Sequence, residues 1–185
     1  MNHFSDLNSY NGKIKKILIT KEEIDAAIKK AGEEIDSWYD GRPILLVSIL
    51  NGAFVFMADL CRAVTVPCEI AFMCAQSYSG TESTGTVRIT MDLKQDISNY
   101  HVIIVEDIID TGRTLKEVVR MLKKRNPLSL KVVTLLNKPS RRVAKFDPDM
   151  ALFTIPDYFV IGYGLDCDEY FRNLPYIAEY NQDAD

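Results

Sequence analysis

Two hydrophobic periods alternate along the chain, and each change of period marks an element. Ile14 to Ile19 (IKKILI) predicts a short strand. Thr20, with Glu23 three residues on, forms a capping box that opens a helix running to about Trp38. Its buried stripe is Ile24, Ile28, Ala31 and Ile35. Asp40-Gly41-Arg42-Pro43 is a turn, and Ile44 to Leu50 (ILLVSIL) reads as a strand buried on both faces. Asn51-Gly52 breaks that strand, Ala53 to Val64 predicts a helix, and Glu69 to Gln76 a third strand. Ser77 to Gly85 (SYSGTESTG) holds no large aliphatic residue and predicts a mobile loop, after which Thr86 to Met91 returns to β character.

The most informative stretch is Tyr100 to Leu115, YHVIIVEDIIDTGRTL. Val102 to Val105 is an apolar run, which Glu106 and Asp107 interrupt at the expected carboxyl end of the strand. From about Arg113 to Arg125, Leu115, Val118, Val119 and Leu122 recur at helical spacing, and Asn126-Pro127 ends the helix. Ser129 to Leu136 is a further strand, followed by the basic connector Asn137 to Asp149. Ala151 to Ile155 and Phe159 to Tyr163 read as paired strands separated by Pro156-Asp157, and Tyr176 to Tyr180 as a last short one. Strand, helix, strand, helix, strand predicts an α/β fold with a parallel sheet flanked by helices.

Composition narrows this picture. With 185 residues and 47% hydrophobic content, residues 1–185 fit one domain with a full core. The core spans about 20–150, and a small hood comes from about 1–19 and 151–185. The formal net charge is −4, from 22 basic and 26 acidic residues mixed along the chain. No long basic block supports nucleic-acid binding. Cys61, Cys68, Cys74 and Cys167 form no CxxC pair, and His3 and His101 are the only histidines, so a Cys/His zinc site is not expected. Cys61, Cys68 and Cys74 read as small core residues. The polar start MNHFSDLNSYNGK and the lack of an apolar run of about 20 residues predict a cytoplasmic chain without membrane contact.

The candidate chemistry sits in the turn after Val105. Backbone N–H groups around Thr111 to Thr114, the positive end of the following helix and two hydroxyls suit a phosphate. Gly112 permits close backbone approach or a positive φ. The acids Glu106, Asp107 and Asp110 could accept bonds from sugar hydroxyls, hold a hard cation or take a proton. A phosphate cradle beside a carboxylate cluster points to a phosphorylated sugar.

The stretch resembles the phosphoribosyl-pyrophosphate signature of type I phosphoribosyltransferases, and EDIIDTG resembles that of the hypoxanthine (hypoxanthine-guanine) branch. The resemblance runs from about Ile14 to Tyr180. It implies transfer of ribose 5-phosphate from phosphoribosyl pyrophosphate to a 6-oxopurine base, giving IMP or GMP and releasing pyrophosphate. It implies Glu106, Asp107, Ile109, Asp110, Thr111, Gly112, Arg113 and Thr114 at the ribose and 5-phosphate, with Asp110 as proton acceptor from the purine. Asn51 and Gly52 match a pyrophosphate loop that often has a cis peptide before the position of Asn51. Many members carry Lys where this chain has Asn51, which removes a charge.

Ser77 and Tyr78 match a lid over the reacting centre. Lys138 matches the lysine that donates to the purine 6-oxo group and thereby rejects adenine. Phe159 and Val160 match the base-stacking aromatic and its neighbour, and Arg172 an arginine that reaches pyrophosphate. Asp166 is assigned to the purine side and, with Glu106 and Asp107, to Mg²⁺. Arg141, Arg142 and Lys145 read as surface charge. A homodimer or homotetramer is expected. The alternatives are a phosphoribosyl-pyrophosphate-sensing regulator, which would need an added domain or basic face, and a transferase for another base.

Overall fold

The computed structural model describes residues 12–77 and 87–183. Strands β1 (Ile14–Ile19), β2 (Ile44–Leu50), β3 (Cys68–Ser77), β4 (Val87–Met91), β5 (His101–Ile109), β6 (Ser129–Asn137), β7 (Met150–Thr154), β8 (Val160–Ile161) and β9 (Ile177–Tyr180) form two sheets. The six-stranded sheet has the order β4-β3-β2-β5-β6-β7, parallel throughout except that β4 runs antiparallel to β3. The second sheet is antiparallel, in the order β1-β9-β8.

The local chemistry explains the helices. Helix α1 (Lys21–Tyr39) starts at Thr20, whose hydroxyl accepts from the Glu23 N–H while the Glu23 carboxylate accepts from the Thr20 N–H. It buries Ile24, Ile28, Ala31 and Ile35, the predicted stripe. Helices α2 (Phe54–Ala63) and α3 (Arg113–Lys123) fall where the apolar spacing places them. The α1 and α2 side of the sheet holds one apolar cluster with Ile44, Leu46, Ile103 and Val105. The α3 side holds another with Leu45, Val47, Val102 and Ile104. Alternate residues of β2 and β5 thus serve opposite layers, which is why these strands read as unbroken apolar runs. Cys61 and Cys68 pack half-buried against the first cluster, and with Cys74 they are free thiols.

Three expectations need correction. Residues 151–155 and 159–163 do not pair with each other: β7 adds parallel to β6, and β8 pairs with β9. Residues 151–154 therefore lie in the central sheet, outside the hood to which the sequence reading gave them. Strand β5 also continues through Glu106 and Asp107 to Ile109, in register with Asn137 of β6, so both acids are strand residues rather than turn residues. The predicted strand Thr86 to Met91 is found from Val87; Thr86 lies outside the described residues.

Leu122 is fully buried in the α3 layer, whereas Leu128 is 61% exposed. Leu122→Ala should lower unfolding free energy by about 2–5 kcal/mol through transfer and cavity losses. Leu128→Ala should change it by no more than about 0.5 kcal/mol. Urea midpoints at constant m-value check both.

Candidate functional site

The chain leaves β2 through α2 toward β3 on one side, and leaves β5 through α3 toward β6 on the other. β2 and β5 are neighbours, so their connections diverge and leave a crevice outside their carboxyl ends, where open α/β sheets bind ligands. A cleft of about 260 Å³ occupies this place, lined by Asn51 and Gly52 from the β2 end. Glu106, Asp107, Ile109, Asp110, Thr111, Gly112 and Thr114 line it from the β5 end. The Leu50-Asn51 peptide is cis.

The floor is acidic and tightly packed. A Cβ on Gly52 would fall 1.6 Å from Asp107 Oδ2, so the carboxylate occupies space that only glycine leaves open. Gly164, at φ +98°, lies equally close to the loop: its Cβ would fall 2.1 Å from the Gly52 carbonyl oxygen. Burial holds the Asp107 carboxyl up at about 6, against the lowering influence of the Ile108 N–H and of Arg172; the nearby Asp166 raises it further. Burial and the Asp107 charge hold Glu106 well above the usual carboxylate range, and its Oε2 is buried without a partner among the described residues.

Arg172 organises the segment that lies over this floor. Its Nη1 donates to the Gly164 carbonyl at 2.8 Å and pairs with Asp166 Oδ1 at 2.9 Å, while Nη2 pairs with Glu169 at 2.8 Å. Among the described residues, no three or more His, Cys, Asp or Glu side chains are gathered to hold a metal ion. The expected set of Glu106, Asp107 and Asp166 is thus not one preassembled cluster. Asp107 and Asp166 do share an electrostatic environment, and one or two carboxylates completed by ligand phosphate and water suffice for a hard cation.

The wall formed by α3 is a phosphate cradle. Gly112 is the N-cap at φ +73° and has no side chain to cap the helix, so the first-turn N–H groups receive no oxygen from the N-cap residue. Thr111 and Thr114 are half-buried beside them, and Arg113 is exposed. Thr111 Oγ1 lies 3.5 Å from the Arg113 nitrogen that donates to it.

Beside the cleft, past the end of β6, stand Lys138, Phe159 and Val160, none of which is among the residues that line it. Lys138 is buried, and its ammonium donates to the Tyr158 carbonyl and lies 3.8 Å from Asp157. That contact sets the lysine beside Phe159 and Val160. Phe159 is 44% exposed, with its ring centroid 5.5 Å from Tyr180, and its carbonyl accepts from the Tyr180 N–H. Val160 is buried opposite Glu179.

Arg141 joins this side to the cleft, with Nε 3.2 Å from Asp110 and Nη1 3.6 Å from Asp157. Arg142 packs against Gly112 and donates to Asn137. Arg142 is half-buried against the turn rather than the surface charge that the sequence reading made it, whereas Arg141 is exposed as expected and pairs with Asp110 and Asp157. The useful signal was the position of the two arginines, three and four residues after Lys138. Of the expected lid, Ser77 ends β3 opposite Val87, and Tyr78 lies outside the described residues.

A carboxyl raised in the folded state keeps its proton there at pH values where the unfolded chain has lost it. The Asp107 contribution to stability should therefore decline as pH rises from about 4 to about 6 and then level off. Asp107→Asn removes this dependence. Relative to the unaltered ligand-free protein, the variant should gain up to about 3 kcal/mol across that window. Urea unfolding of both proteins from pH 4.5 to 7.5 measures the difference.

Comparison with known proteins agrees with this geometry. The model of the phosphoribosyl transferase domain matches residues 13–168. The hypoxanthine-guanine phosphoribosyltransferase of Streptococcus pneumoniae is 46% identical over 172 residues, covering 92% of this chain and 96% of that protein. The hypoxanthine phosphoribosyltransferase of Buchnera aphidicola is 47% identical over 167 residues, covering 89% and 94%. The crystal structure of a Staphylococcus aureus hypoxanthine phosphoribosyltransferase superposes with a TM-score of 0.91 at 41% identity, over 98% of each chain. That of Trypanosoma cruzi, in complex with the product IMP, gives 0.88 at 42% identity, over 93% and 97%. The chain belongs to the phosphoribosyltransferase family, in its hypoxanthine phosphoribosyltransferase branch.

Proposed function

We propose that the cleft between β2 and β5 transfers the 5-phosphoribosyl group of phosphoribosyl pyrophosphate to N9 of hypoxanthine, and of guanine. The products are IMP or GMP and pyrophosphate, the chemistry of purine salvage. One observation carries the reading. A glycine-capped helix terminus and a half-buried acid pair share one cleft at a switch point of the sheet, and the Arg141 ion pairs with Asp110 and Asp157 tie the Lys138 side to it.

The roles follow from the chemistry of each group. Backbone N–H groups and hydroxyls from Thr111 to Thr114 hold the 5-phosphate. Glu106 and Asp107 accept from the ribose hydroxyls. Asn51, Gly52 and Arg172 lie on the pyrophosphate side, with Arg172 as the cation. Lys138 has three ammonium donors, one of which is used on the Tyr158 carbonyl, and it offers another to the purine 6-oxo group. Adenine would present an amino donor there instead, leaving a buried ammonium facing a donor. The exposed face of Phe159 stacks on the base, with Val160 beside it.

Asp110 accepts the purine proton, and Arg141 holds its carboxylate at the cleft mouth before the base arrives. Asp107 and Asp166 would hold Mg²⁺, whose charge offsets that of the pyrophosphate as the bond to C1′ breaks. In the same reading the protein acts in the cytoplasm as a homodimer or homotetramer. No described helix is long and apolar enough to cross a membrane.

Turnover should be high with hypoxanthine and nearly absent with adenine when both are supplied with Mg²⁺ and phosphoribosyl pyrophosphate, and Lys138→Gln should blunt that discrimination. Parallel product assays decide it; comparable rates for the two bases in the unaltered protein would rule the reading out.

Asp110→Asn keeps the shape of the side chain and removes its basicity. The single-turnover rate should fall roughly 10²- to 10⁴-fold, about 3–5 kcal/mol of barrier. Equilibrium binding of phosphoribosyl pyrophosphate, which has no purine, should change far less. A near-normal chemical rate would reduce Asp110 to a structural turn residue.

A further inference from the structure

The connector after β6 folds back along the phosphate turn rather than out into solvent. Following the 3₁₀ turn at Pro139–Arg141, the N–H groups of Val143 and Ala144 both donate to the Thr111 carbonyl, at 3.1 and 3.0 Å. Arg142 is thereby pressed against the turn. A Cβ on Gly112 would lie 3.0 Å from Arg142 Nη1 and 3.2 Å from its Cδ, so the arginine fills the space that glycine leaves. Nη2 donates to Asn137 Oδ1 at the end of β6. Nε and Nη1 are buried and have no partner among the described residues.

A guanidinium keeps its charge at any pH at which the protein is folded, and buried N–H groups without partners cost free energy. Arg142 does not line the cleft, which ends at Gly112 and Thr114; it stands behind the turn. A dianion held by the N–H groups of Gly112 to Thr114 would place opposite charge one backbone layer from it, in surroundings that screen poorly.

Resting on the reading that this turn takes the 5-phosphate, we propose that Arg142 is a positioning residue that sets the protein's preference for phosphorylated ligands. It fixes the left-handed backbone at Gly112 from behind and supplies a charge that only the phosphate answers. It makes no contact with base or ribose, so its influence is confined to ligands that carry the phosphate.

The test compares the full-length protein with Arg142→Gln and Arg142→Lys, using titration with IMP and with inosine, which lacks the phosphate. Arg142→Gln should weaken IMP binding roughly 10- to 150-fold, the range for losing a charge-assisted interaction. Inosine binding should stay within about 2-fold, since that ligand places no charge at the turn. KM for phosphoribosyl pyrophosphate should rise more than kcat falls. Arg142→Lys retains the charge and the stem, and should recover much of the IMP affinity even if the glutamine variant folds poorly.

Equal losses for IMP and inosine would make Arg142 a general support of the fold and overturn the proposal, as would unchanged IMP binding in both variants. If the unaltered protein binds IMP no more tightly than inosine, the phosphate does not sit at this turn. That result overturns the underlying reading and the proposal together, and it is recognisable without any variant.

Discussion

Two contacts that leave no room for a methyl group hold this site together. The Asp107 carboxylate lies where a side chain on Gly52 would begin, and the Gly52 carbonyl lies where one on Gly164 would begin. Through them the end of β2, the end of β5 and the hood meet at one point. Neighbouring strands stand about 4.8 Å apart, and a loop joining one of them seldom comes this close to the side chains of the next. The cleft geometry depends on that approach, because it buries Asp107, and the Asp166–Arg172 pair lies within range of its charge. Arg172, bonded to the Gly164 carbonyl and paired with Asp166, then fixes the segment that lies against the Gly52 loop.

The charge distribution follows from the same packing. The acids of β5 are held in a buried strand end, where their ionised forms are unfavourable. The basic groups Lys138, Arg141 and Arg142 come from one connector and approach from the β6 side. Neither set neutralises the other completely. Glu106 Oε2 and two nitrogens of Arg142 remain unpaired within the described structure. Such groups are costly in a fold that has only itself to satisfy. The Glu106 oxygen belongs to a residue that lines the cleft, where a ligand can supply its partner, whereas the Arg142 nitrogens lie behind the turn.

Most of the fold was legible because β2 and β5 are buried on both faces and therefore read as unbroken apolar runs. The capping box at Thr20 was legible because it is a local pattern of two side chains. Partner choice was not: a short β-prone run shows that it is a strand, but not which edge it joins. Met150–Thr154 was accordingly assigned to the hood although it extends the central sheet. Candidate residues on the β5 turn were recognisable from residue type and spacing, and the structure gathers them in one cleft. Arg142 was misread because a basic, Pro-punctuated segment has the same composition whether it faces water or folds back on a turn. Only the hydrogen bonds from Val143 and Ala144 to Thr111 reveal the second arrangement.

The hood sheet pairs residues from the two far ends of the described chain: Ile14 lies opposite Tyr180, and Ile19 opposite Ile177. Every strand of the central sheet has been translated once Thr154 has left the ribosome, whereas the hood cannot close until β9 follows. Pairings so distant in sequence form late, since a long loop must be closed before any contact rewards it. During synthesis the nascent chain therefore passes through a stage in which the sheet and its phosphate turn can form while Gly164 and Arg172 have yet to reach them. The order of translation thus delays a working enzyme until β9 is in place.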